Sequence, residues 1–438
     1  MPEASDAPPR VFRNAIVVRQ DAARTVGRAD VRVEGGRFTH VGPEAPTEGA
    51  EVVEAKRFAV VPGFVNTHTH VAMSILRGLA DDRDLGGFLE KLFAVDAKRT
   101  ERDVEAGAAA GAAEMLLSGT TSFLDLYYFE DAVARGTERL GIRGFLGWAV
   151  VDPELTTQKG RPLDNAKGFL GRWAGHPLVT PLVAPQGVYV CNRDTWLGAR
   201  ELAERSRTLV HYHLSETQRE VNEHVERTGQ RPATWLDAIG FLGPNQVAAH
   251  GVWLDTAEIG LLAKRRVGVA HCPASNLKLA TGGIFPVTAA RAAGVRVGLG
   301  TDSAASNNSL SLLREMHLAA LLAKHHRWDA TTLPAGTVLD LATREGAEML
   351  GRPDLGRIEV GATADFSLFR LDHPTMVPAR PEAIVSHLAF SASEEAVDSV
   401  YVGGRCVVAH RELVGAPWPA VREEAEAAAS DLWGATAS

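Results

Sequence analysis

The chain has 438 residues, 45% of them hydrophobic and 23% charged, with a formal net charge of −8. That balance belongs to a folded globular protein, and the length calls for more than one structural unit. A negative balance without any Lys/Arg-dense stretch speaks against nucleic acid or an anionic membrane as partner. No run approaches the ~20 apolar residues of a membrane helix. The opening MPEASDAPPR has no apolar signal core, and the three cysteines, Cys191, Cys272 and Cys406, are too scattered for a disulfide framework. A cytoplasmic protein is the expectation.

From Val11 to about Val61, short alternating stretches (AIVVRQ, ADVRVEGGRFTHVG, EVVEAKRFAV) are broken by Gly, Asp and Pro. They predict a small antiparallel sheet. The same character returns after Ile358, in GRIEVGATADFSLFRLD and AVDSVYVGGRCVVAHRELV. The two ends are therefore expected to form one composite β-sandwich, residues 1–61 with 358–438, closed by an amphipathic helix around Trp418–Trp433. Between them, residues 62–357 carry eight short apolar runs, each followed by a helical or loop segment. The runs are VVPGFVNTHTH, GTTSFLDL, IRGFLGWAV, PLVTPLVAPQ, TLVHYHLSE, QVAAHGVWL, RVGVAHCP and VRVGLGTDS. Near-continuous apolar strands alternating with helices imply a parallel sheet covered on both faces. Eight such units fit a (β/α)8 TIM barrel. An open doubly wound sheet is the alternative, but its Gly-rich nucleotide fingerprint is missing.

In such a barrel, chemistry sits where strands end and loops begin. His68 and His70 close the first run, His213 and Glu216 the fifth, His250 the sixth, His271 the seventh and Asp302 the eighth. Two histidines two residues apart share one strand face and could hold one zinc ion; they could equally be hydrogen-bonded interior histidines. HYHLSE offers a choice, and His213, nearer the strand end, is the better ligand, leaving His211 packed or supporting. Glu216 reads as a proton shuttle or as a solvated helix-start acid. Asp302 reads as ligand, proton acceptor or Asx turn. His271 and Cys272 lack the HxE…PCxxC pattern of zinc deaminases, so His271 is read as structural or supporting. His325 and His326 read as surface residues.

The stretches PGFVNTHTH, HLSET, AAHGVWL, HCPASNLKLATGG, GTDSAASNNSL and GATADF resemble the amidohydrolase superfamily. Within it they are most similar to the branch of adenosine-type nucleoside deaminases and chlorotriazine hydrolases, in the same order over essentially the whole chain. The resemblance implies one divalent metal, zinc or iron, held by His68, His70, His213 and Asp302. It also implies Glu216, His250 and Asp302 as the residues that orient water and move protons. Two-metal relatives use a lysine on the fourth strand, and here that strand ends LVAPQG.

The implied reaction is hydrolytic deamination at an sp² ring carbon of an adenine nucleoside, of adenosine, methylthioadenosine, adenosylhomocysteine or aminofutalosine type. By likeness to the nucleoside-covering segments, Phe88, Asp96, Trp148, Arg161, Gln186 and Ser306 become substrate-contact candidates. A triazine, pterin or guanine-type aminohydrolase on the same ligands is the alternative, and a metal-free binding protein the remote one. A small-molecule purine nucleoside is the expected partner, and a homo-oligomer is compatible with the sequence.

Overall fold

The computed structural model describes residues 8–437, apart from the side chains of 96 and 435–437. Eight parallel strands follow one another around a sheet in strict chain order. They are Phe64–Thr69, Thr120–Tyr127, Arg143–Val150, Val179–Pro185, Val210–Leu214, Gln246–His250, Gly268–His271 and Val297–Leu299, called the first to eighth barrel strands below. They coincide with the eight apolar runs. Nearly every residue in them is buried, as expected of strands with helices outside and packed side chains inside.

Side chains close the circle between the last strand and the first. Thr67 Oγ1 donates to the Leu299 carbonyl at 2.9 Å, and Asn66 Nδ2 donates to Thr301 Oγ1 at 2.8 Å. The Asp302 N–H donates to the His68 carbonyl at 2.9 Å, which ties the end of the eighth strand to the first.

A second sheet of nine strands draws on both ends of the chain. Strands Arg10–Val18, Val26–Glu34, Arg37–Gly42, Glu51–Glu54 and Phe58–Pro62 come from one end. Phe366–Arg370, Val397–Val402, Arg405–Ala409 and Glu412–Leu413 come from the other. The seam is the antiparallel pair Phe58–Pro62 with Phe366–Arg370. Most pairings are antiparallel; the exceptions join Arg10–Val18 in parallel to Glu51–Glu54 and to Phe58–Pro62. A core of its own lies under this sheet, where the Phe366 ring stacks on Tyr401 at 4.6 Å and meets Phe12 edge-on at 5.2 Å.

Chain passes from sheet to barrel at Gly63, and its N–H donates to the Asp365 carbonyl at 2.9 Å. A Cβ there would lie 2.0 Å from Thr121 Oγ1, so only glycine fits the junction. The C-terminal helix Trp418–Ala437 departs from the sequence reading, which places it over the terminal sheet. It lies against the barrel helix Glu101–Leu117 and the 3-10 turn Val71–Leu76, and Trp433 Nε1 donates to the Ile75 carbonyl at 3.1 Å. Its apolar stripe specifies burial but not which surface supplies it.

Candidate metal centre and active site

The first, fifth, sixth and eighth strands deliver their polar residues to one end of the barrel. His68 sits within the first strand and His70 one residue past it; His213 is the last residue but one of the fifth strand, His250 ends the sixth, and Asp302 follows the eighth. Three turns here place non-glycine residues in left-handed backbone: Ser215 (φ 49°), His250 (φ 74°) and Asp302 (φ 58°). Such conformations are unfavourable for side-chain-bearing residues and persist where surrounding structure imposes them.

Hydrogen bonds fix which nitrogen of each ring carries its proton. His70 Nδ1 faces the Leu126 carbonyl, and His213 Nδ1 donates to the Gln186 carbonyl at 2.7 Å. A carbonyl only accepts, so both rings are protonated at Nδ1 and both Nε2 atoms carry lone pairs. Those two Nε2 atoms stand 3.2 Å apart. His68 obeys the same logic at one remove. His211 Nδ1 donates to the Val247 carbonyl at 2.8 Å, so His211 Nε2 accepts, and His68 Nδ1 donates to it at 2.7 Å. That leaves His68 Nε2 with its lone pair, fully buried and without a hydrogen-bond partner.

Three lone pairs thus converge, and Asp302 Oδ1 lies 3.4 Å from the Nε2 atoms of both His68 and His70. Burial, before any other influence, holds the His68 and His213 rings well below the ordinary histidine range, so protons do not reconcile those two lone pairs near neutral pH. A divalent ion does. Donor atoms of His68, His70 and Asp302 lie within 4.8 Å of one another, as do those of His68, His213 and His250. Imidazole nitrogen with one carboxylate suits zinc or iron. Every Nδ1 is occupied by a partner that orients its ring, the arrangement that supports metal-binding histidines generally.

Asp302 is held from below by hydroxyls. Ser275 Oγ donates to its Oδ2 at 2.5 Å and Ser306 Oγ at 2.9 Å. Burial acts to raise its carboxyl, but the facing imidazoles of His68, His70 and His250 outweigh that and keep it well below the usual range. Glu216 goes the other way: burial first, then the neighbouring Asp302 carboxylate, push it up to about 8. One acid stays ionised and the other keeps a proton near neutrality, the separation that acid–base chemistry requires. His250 joins them, its Nδ1 2.9 Å from Asn276 Oδ1 and its Nε2 3.8 Å from Glu216 Oε2.

The cluster opens into a cavity. It is lined by Phe88, Leu89 and Leu92 of the helix Leu85–Asp96 and by Tyr127, Tyr128 and Tyr189. Of the substrate-contact candidates, Phe88 and Gln186 line it, and Gln186 Oε1 accepts from the Tyr128 hydroxyl at 3.1 Å. Ser306 lies beneath Asp302 and supports it. Trp148 is buried against Phe169 of the outer helix Pro162–Arg172, with ring centroids 5.8 Å apart, and does not line the cavity. Arg161 is the N-cap residue of that helix, with its side chain 83% exposed and 3.8 Å from Asp164, and does not line the cavity. The Asp96 side chain lies outside the described residues. His271 packs against Phe285 at 5.3 Å.

Sequence reasoning passed over Asn276, Ser275, Tyr128 and Tyr189. The available signal was the adjacent polar pair in HCPASN, which opens the helix Pro273–Lys278 directly after the seventh strand. The two tyrosines stand just past the ends of the second and fourth strands.

Known proteins share this arrangement of chain. The family model described as Amidohydrolase family matches residues 59–407. A 5'-deoxyadenosine deaminase from Methanothrix thermoacetophila is 39% identical, over 88% of this chain and 91% of its own. A 5-methylthioadenosine/S-adenosylhomocysteine deaminase from Nitratidesulfovibrio vulgaris is 41% identical, over 90% of each. The crystal structure of an adenosine deaminase from Xanthomonas campestris with bound zinc superposes with a TM-score of 0.92, at 34% identity, covering 97% of this chain and 98% of that one.

Proposed function

The chain belongs to the amidohydrolase family, and from that premise we propose that it is a metal-dependent deaminase of adenine nucleosides. The observation that carries the reading is the convergence of three imidazole rings and the Asp302 carboxylate beside the buried Glu216, at the floor of an aromatic cavity. Two relatives near 40% identity bear the names of deaminases of 5'-deoxyadenosine and of methylthioadenosine and adenosylhomocysteine, which supports the adenine nucleoside class.

His68, His70, His213 and Asp302 would hold the ion, and zinc is our assignment because a relative of the same fold carries it. When bound, the ion supplies the Lewis acidity that makes water nucleophilic near neutral pH. Glu216 carries the proton to the purine ring nitrogen next to the carbon under attack, which makes that carbon more electrophilic. His250, beside Glu216, orients the attacking water. Asp302 passes a second proton to the departing amine. One water is consumed, ammonia leaves, and the ring carbon that bore the amino group becomes a carbonyl carbon. Phe88, Tyr127 and Tyr128 offer flat apolar faces to the purine, and Gln186 offers an amide to its polar edge.

Glu216→Gln tests the assignment. The variant is expected to bind metal as the wild type does and to release ammonia from adenine nucleosides about 10²–10⁴-fold more slowly, the scale of a lost general acid. Wild-type turnover in that variant would remove Glu216 from the mechanism.

A further inference from the structure

The turn that carries Glu216 is gripped from both sides. Ser215 adopts left-handed backbone, with φ 49°, and its N–H and that of Glu216 converge on a single carboxylate. Glu220 Oε1 accepts from Ser215 N–H at 3.0 Å, and Glu220 Oε2 accepts from Glu216 N–H at 2.7 Å. Carbonyls of the same turn face the opposite way, towards the loop after the sixth strand. The Leu214 carbonyl accepts from Gly251 N–H and the Ser215 carbonyl from Trp253 N–H, each at 2.9 Å.

Glu220 is itself fixed. It lies in the first turn of the helix Gln218–Thr228, where its N–H donates to the capping Thr217 Oγ1 at 3.1 Å. It is buried, and among the described residues it forms no ion pair. A buried acid without a cation is costly, and here both its oxygens are used on consecutive backbone N–H groups. Those two groups belong to Glu216 and to its immediate neighbour Ser215.

On the reading of Glu216 as proton carrier, we propose that Glu220 is a positioning residue for the proton transfer. Its two-oxygen grip sets the backbone of Glu216, and through it the distance of the Glu216 carboxyl from His250 and the metal ligands. A glutamine cannot substitute. Its single oxygen accepts one N–H, while its amide presents a second donor to the other N–H. The opposing bonds from Gly251 and Trp253 make the grip effective, because they tie the turn to the loop that directly follows His250.

The test uses full-length protein reconstituted with zinc, with metal content and ammonia release from an adenine nucleoside measured together. Glu220→Gln is expected to lower kcat by about 10²-fold, the scale of a misplaced reacting group, with KM and metal content unchanged. Glu220→Asp, which keeps both oxygens on a shorter stem, is expected to fall between that variant and the wild type. A purely structural acid would lower the melting temperature and leave kcat per metal-loaded site as in the wild type, and that result overturns the proposal. Should Glu220→Gln fail to fold, Thr217→Val loosens the same acid more gently; it must lower kcat without moving KM, and an unchanged kcat overturns the proposal equally. A wild type that releases no ammonia from any adenine nucleoside would sink the functional reading before Glu220 enters, so the two failures are distinguishable.

Discussion

His211 never reaches the cavity, yet it decides what His68 can do. By accepting the His68 Nδ1 proton at 2.7 Å it leaves the opposite nitrogen bare and aimed at the cluster. Replacing it with phenylalanine keeps the volume and removes the acceptor. Metal affinity is then expected to fall about 10–100-fold, as when other outer partners of metal-bound histidines are lost, and a chelator-competition titration reads the change. Unchanged affinity would mean that packing alone orients His68. At this scale the sequence spoke clearly where strand parity applied: His68 and His70 share a face, as do His211 and His213. It spoke poorly where a side chain lies on a strand or cap whose facing is set by packing. Trp148 turns outwards to Phe169, and Arg161 turns to solvent as a helix cap. Asn276 was invisible because its importance comes only from touching His250 across two loops.

The strands and their closure form the next scale. Eight apolar runs marked the barrel because each strand is buried on both faces and must be apolar throughout. What closes the barrel was hidden, since the eighth strand, Val297–Leu299, is short and meets the first through side chains and loop bonds. Gly300 packs closely against the first strand. A Cβ there would stand 2.8 Å from the His68 Cβ and 2.9 Å from its backbone nitrogen. Gly300→Ala must therefore displace the first strand at His68, one of the proposed metal ligands. A stability loss of about 1–3 kcal/mol is expected from the overpacking, together with weaker metal retention, read by urea unfolding and metal analysis of the purified variant. A variant with native stability and full metal content would show that the strand yields without moving His68. The C-terminal helix was legible as a helix but not in its docking, because an amphipathic stripe does not name its partner.

Across the whole molecule, the terminal sheet is fastened to the end of the barrel opposite the cavity. Arg143, at the start of the third barrel strand, places Nε and Nη2 each 3.1 Å from the two oxygens of Asp365, and both side chains are buried. Asp365 also accepts from Gly403 N–H at 2.6 Å. Removing one partner strands a buried charge, so Arg143→Ala is expected to destabilise the fold by about 3–5 kcal/mol, measured by urea unfolding. A loss under 1 kcal/mol would mean that water reaches the pair.

The pH dependence of stability belongs to this scale too. Buried Glu315 is pushed up to about 8, by burial above all and against bonds from Ala274 N–H and Asn307, with Asp302 adding to the rise. Folded protein keeps that proton after the unfolded chain, near 4.5, has lost it, so the stability Glu315 contributes below 4.5 is lost as pH rises to about 8. His211 and His271, pushed down to about 3 by burial, act oppositely, but only up to their unfolded value of 6.5. Between 6.5 and 8 the acids act alone. Metal-free protein is therefore expected to lose stability over that window, and Glu315→Gln to flatten the slope by up to about 1.4 kcal/mol per pH unit. An identical slope in the variant would show that Glu315 is ionised in the folded state.

The central claim is that the converging histidines hold an ion on which deamination of adenine nucleosides depends. Its most direct test follows ammonia release from adenosine, 5'-deoxyadenosine, methylthioadenosine and adenosylhomocysteine by the protein as purified, after chelation, and after zinc is restored. The expected result is release from at least one of these nucleosides, lost on chelation and recovered with about one ion per chain, the stoichiometry of a single four-ligand site. Ammonia release that survives complete removal of metal, or none from any of the four with the site filled, would contradict the account.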